Sequence, residues 1–169
     1  MLPHTNAMLA LMRDGFVEDS QGGQVKIDDK GMPILDYDIS DFIWDGAKRA
    51  YLSMAEAQFA SGAKKVRPAH LDGSWTSSWN DAKNQIEHLK YKKFRTALFT
   101  AHLMGGCTMG EDKATSVVNS QGQHHQFSNL SIFDGSVFPT SLGVNPQLSI
   151  YGLVAQNATA LATKLGAKG

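Results

Sequence analysis

A histidine and an asparagine in two glycine-containing loops are the residues of this chain whose types and settings best suit chemistry. His102 begins the first loop, residues 102–110, and Asn145 lies near the end of the second, residues 134–148. Histidine titrates near neutrality and the asparagine amide both donates and accepts hydrogen bonds, so both can interact with a hydroxyl group. A histidine beside two glycines is by itself more often a structural residue. Together, however, the two loops favour a site that can bind a hydroxyl group and take up its proton.

The second loop runs directly into a predicted helix. Asn145 fits the N-cap position of that helix, and Pro146 fits its first turn, where a missing N–H group costs nothing. The exposed start of such a helix presents free N–H donors and a partial positive charge, which suit an anion or a group that becomes anionic during a reaction. Apolar residues then recur at three- and four-residue spacing and predict one buried helix face: Leu148, Tyr151, Leu153, Val154, Ala158, Leu161, Ala162 and Leu165.

Three stretches in the last third of the chain resemble a known family signature. They read HLMGGCTMG at 102–110, SVVN at 116–119 and NLSIFDGSVFPTSLGVNPQL at 129–148. With the helix that follows, their order and spacing resemble the C-terminal portion of the glucose-methanol-choline (GMC) oxidoreductases over residues 96–165. Residues 13–95 resemble the substrate-domain segment of that family more loosely, through an order of strand, turn, strand and helix.

The resemblance implies a flavoenzyme that removes hydride from an alcohol carbon and passes it to FAD. His102 matches the active-site histidine of the family and would accept the hydroxyl proton as general base. Asn145 matches the partner of that histidine, which is histidine in some members and asparagine in others, and its amide would hold the substrate oxygen in line. A side chain that caps the helix is less free to bind substrate, so the capping and catalytic interpretations of Asn145 compete.

The resemblance also implies which residues contact FAD. The start of the C-terminal helix would face the pyrimidine edge of the flavin, where reduced flavin becomes anionic. Asp134 and Gly135 match the segment that approaches the ribityl and pyrophosphate groups. The cofactor-binding residues implied in this way are Asp134, Gly135, Asn145, Pro146, Gln147 and Leu148.

One part of the family pattern is missing from these residues, namely the strand, G-x-G-x-x-G turn and helix that bind the adenosine half of FAD. The nearest glycine pair, Gly105 and Gly110, has Cys107 where the middle glycine belongs. The pair also fails as a phosphate loop, because Glu111 and Asp112 stand where Lys and Ser or Thr are needed. We interpret the chain as the C-terminal portion of a larger enzyme, with its FAD-binding N-terminal portion supplied in cis or in trans. A truncated gene product, one piece of a split protein and an expressed fragment all fit this pattern.

The composition is that of an ordinary globular chain with no bias toward a charged partner. The 169 residues are 42% hydrophobic and carry 16 basic and 16 acidic side chains, a formal net charge of zero. This balance gives no support for nucleic-acid binding. No apolar run reaches the ~18 residues of a membrane span and no leader resembles a signal peptide, so we expect a cytoplasmic protein. The single cysteine, Cys107, allows no internal disulfide and fits a small buried residue better than a nucleophile.

The spacing of apolar residues and the turn residues between the segments predict an α+β fold, with an antiparallel or mixed sheet and flanking helices. A long amphipathic helix is predicted over residues 41–60 after an N-cap at Ser40, and a shorter helix begins after Ser78. We expect the chain to divide into residues 1–95, a substrate-domain segment, and residues 96–169, a catalytic and flavin-facing segment.

Strands are predicted on both sides of these helices. Phe16–Val17 and Val25–Ile27 would pair across a turn at residues 20–23, and residues 32–37 would form a further strand. After the second helix, residues 96–103 fit a buried strand that delivers the histidine to the site.

Other interpretations of the same residues are weaker. A metal site could be built from His124, His125, His102 and Cys107, but their spacing matches no zinc pattern and we expect no metal. A hydrolase would need a nucleophile elbow, which Gly135–Ser136 does not form. The alternative with most support is a non-catalytic remnant or interaction module of the same fold that binds no flavin on its own.

Overall fold

The secondary structure combines three α-helices with one two-stranded sheet in the described residues, which agrees with the predicted α+β class. The computed structural model describes residues 2–15, 17–18 and 22–166. The chain separates into two units, Met1–Phe99 (unit 1) and Thr100–Gly169 (unit 2). The elements are β1 (Gly23–Ile27), β2 (Pro33–Tyr37), α1 (Asp41–Ala60), α2 (Trp79–His88), α3 (Gln147–Lys164) and 3-10 turns at Leu2–His4 and Gly135–Val137.

The hairpin of unit 1 joins β1 to β2. The strands are antiparallel with Val25 opposite Leu35. The turn is made by Asp28, whose carboxylate accepts the N–H groups of Lys30 at 2.9 Å and Met32 at 2.8 Å, and by Gly31, which adopts φ +78°. Of the predicted pairing across residues 20–23, Val17 lies outside any strand, and Gly23, predicted in the turn, is the first residue of β1. Phe16 and residues 19–21 lie outside the described residues.

The predicted long helix is present as α1 and ends through a glycine. Gly62 adopts φ +90°, which favours glycine, and Ala63 donates its N–H to the carbonyl of Gln58 at 2.9 Å. These are features of a Schellman motif, which satisfies the last free carbonyls of a helix. The core of unit 1 forms where α1 meets α2 and consists of Tyr51, Ala55, Val66, Ala82 and Ile86.

The segment between α1 and α2 is irregular but closely held. His70 is buried, and its Nδ1 accepts the N–H of Asp72 at 3.0 Å while its Nε2 lies 3.1 Å from the carbonyl oxygen of Lys90. Arg95 donates two hydrogen bonds to the Asp72 carboxylate, at 3.0 and 2.8 Å. Because one nitrogen of His70 accepts and the other must donate, the ring is held as a neutral structural group.

The predicted strand over residues 96–103 is not formed. Only Thr96 makes a β-bridge, to His70, and the following residues are irregular. Phe99 and Leu103 are 75% and 70% exposed. A strand needs a neighbouring backbone for its hydrogen bonds, and among the described residues no strand lies beside 98–103. Apolar content alone could not supply that neighbour.

The C-terminal helix α3 is present, but its predicted buried face is only partly formed, because Leu153, Val154 and Leu161 are half-buried and the other predicted residues are exposed. Leu148, Tyr151 and Leu165 are 83%, 59% and 78% exposed, whereas Asn157 is buried. The helix is apolar around much of its circumference, and unit 2 covers only the face that contains Asn157. Among the described residues, no helix is long and apolar enough to cross a membrane.

Candidate functional site

Two pairs of backbone atoms in unit 2 join the histidine loop to the segment that begins at Asp134. The N–H of Cys107 donates to the carbonyl of Ser136 at 3.0 Å, and the N–H of Met109 donates to the carbonyl of Val137 at 2.8 Å. The two loops that the sequence singled out therefore lie side by side and share a short stretch of backbone pairing.

Glycines give the histidine loop its shape. Gly105 and Gly106 adopt φ +83° and +100°, in the left-handed region that side chains disfavour. His102 precedes this turn and is half-buried, and Cys107 after it is partly exposed as a free thiol. The glycine pair thus reverses the chain between the histidine and the backbone pairing at Cys107.

Residues 116–119 hydrogen-bond to the end of the histidine loop. Val118 is fully buried, and its carbonyl accepts the N–H of Gly110 at 2.9 Å. Val117 donates its N–H to Thr108 at 2.8 Å. Asn119 closes the next turn, because its side-chain oxygen accepts the N–H groups of residues 121 and 123, each at 3.0 Å. This part of the signature is explained by packing and turn formation.

Asp134 and Gly135 start a 3-10 turn next to the histidine loop. The exposed Asp134 carboxylate uses one oxygen to accept the N–H of Ser136 at 2.8 Å and also the Ser136 hydroxyl. Gly135 is buried, and a Cβ at this position would lie 3.0 Å from the carbonyl oxygen of Leu103 and 3.1 Å from Cδ1 of Ile150. Gly135 therefore lies where the residue after His102 and the first turn of α3 come together.

The first helical residues of α3 are exposed, its N-cap residue is buried, and the helix carries no side-chain cap. Pro146 is the N-cap residue and Gln147 the first helical residue, so the predicted N-cap at Asn145 is wrong by one position. The N–H of Ile150 is the first to find a helical acceptor, the carbonyl of Pro146 at 2.9 Å. The first N–H groups of any helix have no acceptor inside it, and residues 147–149 are exposed here. Their N–H groups and the helix dipole suit an anionic group.

The side chains of His102 and Asn145 are available for a ligand. Among residues 22–166, neither makes a hydrogen bond. Asn145 is exposed and does not act as a cap. The competition between capping and substrate binding that the sequence raised is therefore absent from this structure.

A serine and a histidine that sequence reasoning left unpaired lie together in the same unit. Ser116 Oγ is 2.9 Å from His125 Nε2, and that nitrogen is also 3.0 Å from the carbonyl oxygen of Gly110. The carbonyl can only accept, so Nε2 carries the proton and cannot act as a base toward Ser116. The pair holds the turn after the histidine loop and gives no support to a hydrolase.

The carboxylate of Glu111, which follows the histidine loop, also has a hydrogen-bond donor nearby. The N–H of Ser120 donates to the Glu111 carboxylate at 3.1 Å. Hydrogen bonding by Ser120, with a smaller contribution from the nearby His125, lowers the pKa of Glu111 from its ordinary value. Within the described part of the chain, no three His, Cys, Asp or Glu side chains are grouped so that they could hold a metal ion.

Comparison with known proteins adds three findings. The family described as GMC oxidoreductase matches residues 19–153. An uncharacterised GMC-type oxidoreductase from Sinorhizobium fredii is 32% identical over 130 residues, covering 76% of this chain and 25% of that protein. A long-chain-alcohol oxidase from Arabidopsis thaliana is 28% identical over 156 residues, covering 88% of this chain and 20% of the relative.

A shorter match involves a cholesterol oxidase from Acinetobacter baumannii, which is 44% identical over 55 residues, or 32% of this chain and 10% of that enzyme. The chain thus spans a quarter or less of the length of each of these three relatives.

Proposed function

The chain belongs to the GMC oxidoreductase family, and on that premise we propose that it forms the C-terminal portion of an FAD-dependent enzyme that oxidises alcohols. The observation that carries the proposal lies in unit 2. The loop of His102 is paired to the segment 134–138, and Ile150 in the first turn of the uncapped helix α3 lies so near Gly135 that a Cβ there would be 3.1 Å from its Cδ1.

The residues at the start of α3 fit the flavin part of FAD. The N–H groups of residues 147–149, which are exposed residues, would bind an edge that carries negative charge, and Asn145, Pro146, Gln147 and Leu148 would line it. One carboxylate oxygen of Asp134 is occupied by Ser136, which leaves the other for a ribityl hydroxyl. FAD, when bound, supplies the acceptor for the hydride that leaves the alcohol carbon.

His102 is the group we assign to the proton. Oxidation of an alcohol breaks both a C–H and an O–H bond, so as hydride leaves the carbon, a base must take the hydroxyl proton. The imidazole of His102 has no hydrogen-bond partner among residues 22–166 and could accept it. The amide of Asn145 donates a hydrogen bond to the same oxygen and holds the hydroxyl in line.

The partners that follow are a small-molecule substrate with an alcohol group and the FAD-binding N-terminal portion of the enzyme, supplied in cis or in trans. The Arabidopsis relative is named a long-chain-alcohol oxidase and the Acinetobacter relative a cholesterol oxidase; cholesterol carries a hydroxyl group, so both names support this class of substrate.

The test is His102→Ala in the flavin-containing holoenzyme. We expect flavin reduction by substrate to slow by at least ~100-fold while FAD stays bound, because a positioned base contributes about 100-fold to 10,000-fold. His88→Ala, on the exposed surface of α2, is the matched control and should reduce flavin at the wild-type rate. Reduction of His102→Ala at that same rate would refute the assignment.

The alternative, a non-catalytic module of the same fold, makes a different prediction. The full-length protein would then show no flavin absorbance after purification, and no added alcohol would bleach an added flavin.

A further inference from the structure

Gln147 and Tyr151 form a side-chain pair on the exposed surface of α3, at its N-terminal end. Gln147 is the first residue of the helix, and Tyr151 lies one turn further along. Nε2 of Gln147 donates a hydrogen bond to the hydroxyl oxygen of Tyr151 at 2.6 Å. Gln147 is exposed and Tyr151 is 59% exposed. Gln147 is one of the residues proposed to line the flavin edge, whereas Tyr151 has no role in that proposal.

The pair restricts the glutamine more than it stabilises the helix. A hydrogen bond between exposed side chains one turn apart stabilises a helix only slightly. A glutamine alone on a surface, however, samples many rotamers. A tyrosine has only two side-chain torsions, and in a helix its ring leans back over the preceding turn, toward the N-terminus. The hydroxyl of Tyr151 thus holds the Gln147 amide by its nitrogen.

The amide held in this way supplies a hydrogen-bond acceptor where the helix start supplies donors. The backbone of residues 147–149 offers N–H groups, which can only donate. Of the other residues proposed to line the flavin edge, Pro146 and Leu148 have no polar side-chain atom, and the Asn145 amide is assigned to the substrate oxygen. The amide oxygen of Gln147 accepts no hydrogen bond among residues 22–166. It is therefore the side-chain acceptor that these four residues leave for the cofactor.

The pyrimidine edge of a flavin needs both kinds of partner. Its carbonyl oxygens, and the negative charge of the reduced ring, match the N–H donors of the helix start. The ring N–H between the two carbonyls needs an acceptor. We propose that Tyr151 is a positioning residue, which holds the Gln147 amide so that its oxygen accepts the hydrogen bond of this ring N–H. The proposal rests on the proposed function, because it requires a flavin at the start of α3.

The proposal sets the direction in which loss of the Tyr151 hydroxyl changes the flavin. An amide oxygen is the negative end of a dipole, so beside the ring it opposes the negative charge that reduction adds. Without the hydroxyl, the Gln147 amide is free to turn and to donate through its nitrogen, which favours the reduced ring. Tyr151→Phe should therefore raise the midpoint potential of the bound flavin.

The experiment is a redox titration of the flavin-containing holoenzyme with Tyr151→Phe. We expect FAD content near wild type and an affinity for reduced relative to oxidised flavin that rises about 10-fold, which is about +30 mV for a two-electron couple. Tyr37→Phe is the matched control, because Tyr37 is an exposed tyrosine at the end of β2 in unit 1. It should leave the potential unchanged.

A second substitution shows whether Tyr151 acts through Gln147. Gln147→Leu removes the amide and should itself raise the potential, which also serves if Tyr151→Phe does not fold. On the Gln147→Leu background, Tyr151→Phe should cause no further shift. The proposal fails if Tyr151→Phe leaves the potential unchanged or lowers it, or shifts it equally with and without the amide. A full-length protein that binds no flavin would reject the proposed function, whereas bound flavin with an unchanged potential in Tyr151→Phe would reject this proposal alone.

Discussion

Asn145 differs from most asparagines that precede a helix, because its amide is exposed and makes no hydrogen bond among residues 22–166. The helix begins after Pro146 without a side-chain cap. Replacing Asn145 should therefore change catalysis more than folding.

At this residue we predict that Asn145→Asp slows flavin reduction in the holoenzyme by ~10-fold or more. The carboxylate has no N–H to donate to the substrate oxygen, and it adds negative charge beside the flavin edge, a loss of about 1 to 3 kcal/mol in the transition state. Stability should change little or rise slightly, since an anion near a helix start is favourable. Thermal melting and stopped-flow reduction measured on one preparation test both expectations.

Asn80→Asp is the control for this substitution, because Asn80 is an exposed residue in the first turn of α2 and undergoes the same change of charge. It should leave flavin reduction unchanged. An Asn145→Asp variant that melts much earlier but reduces flavin normally would make Asn145 a structural residue.

In the hairpin of unit 1, the ion pair between Lys26 and Asp36 gives a second prediction, which concerns the pKa of Asp36. The ammonium of Lys26 hydrogen-bonds and attracts the Asp36 carboxylate across the strands, which lowers the pKa of Asp36 below its ordinary value of 3.8. A lowered folded-state pKa gives stability that is present above the unfolded pKa and is lost as pH falls through the folded one. We expect an NMR titration of the Asp36 carboxyl to show a midpoint below 3.8 that moves up in Lys26→Met. Lys30→Met, in the adjoining turn, should leave the midpoint in place; equal midpoints in all three proteins would contradict the ion pair.

Among the secondary-structure elements, both helices of unit 1 have a serine at the N-cap position, but only one of the two serines makes a capping hydrogen bond. Ser78 accepts the N–H of Asp81 at 3.1 Å and donates its hydroxyl to the Asp81 carboxylate at 2.7 Å. Ser40 makes no capping hydrogen bond, and its hydroxyl oxygen is buried without a partner. Only Ser78 satisfies a helix N–H group through its side chain.

We predict that Ser78→Ala lowers the free energy of unfolding by about 1 kcal/mol, whereas Ser40→Ala leaves it unchanged or raises it. Loss of an N-cap costs about 0.5–2 kcal/mol, but removing an unpartnered buried hydroxyl removes only a desolvation penalty. Urea unfolding of both variants, with the exposed Ser77→Ala as reference, measures the difference. Equal losses for Ser40→Ala and Ser78→Ala would mean that Ser40 also caps its helix.

At the scale of the whole molecule, the chain exposes much apolar surface for its size. Both strands of the hairpin are exposed along their length, and α3 presents Leu148, Tyr151 and Leu165 to solvent. Patches of this kind mark surfaces that bind other chains or domains. The share of its relatives that the chain covers, a quarter or less, agrees with such a role.

We therefore predict that these 169 residues alone do not bind FAD tightly. The residues proposed here contact the flavin side only, and the glycine-rich turn that holds the pyrophosphate in dinucleotide-binding folds is not among them. Calorimetric titration of the isolated polypeptide with FAD should show no saturable binding below micromolar concentration. Adding the FAD-binding portion in trans should restore flavin binding; tight binding by the isolated monomer would instead place a complete dinucleotide site within this chain.

The sequence by itself determined those features whose signals are local. Helix α1 could be predicted because an N-terminal serine, an apolar spacing and the Ser61–Gly62 stop all lie within or beside the helix. The glycine pair after His102 and the segment at Asp134 could be found because their backbone shapes require particular residues at particular positions. The family signature then indicated that the two loops act together.

Tertiary structure alone decided what depends on neighbours far along the chain. The stretch 96–103 has strand composition but finds no partner strand among the described residues, and β1 pairs forward with β2. The buried face of α3 and the surroundings of Gly135 likewise depend on which atoms lie opposite: Asn157 is buried while Leu148 is exposed, and Leu103 and Ile150 leave little space for a Cβ at Gly135. The spacing of apolar residues shows which face of a helix could be buried. Burial itself requires another surface to cover that face, and the fold of the rest of the chain determines that surface.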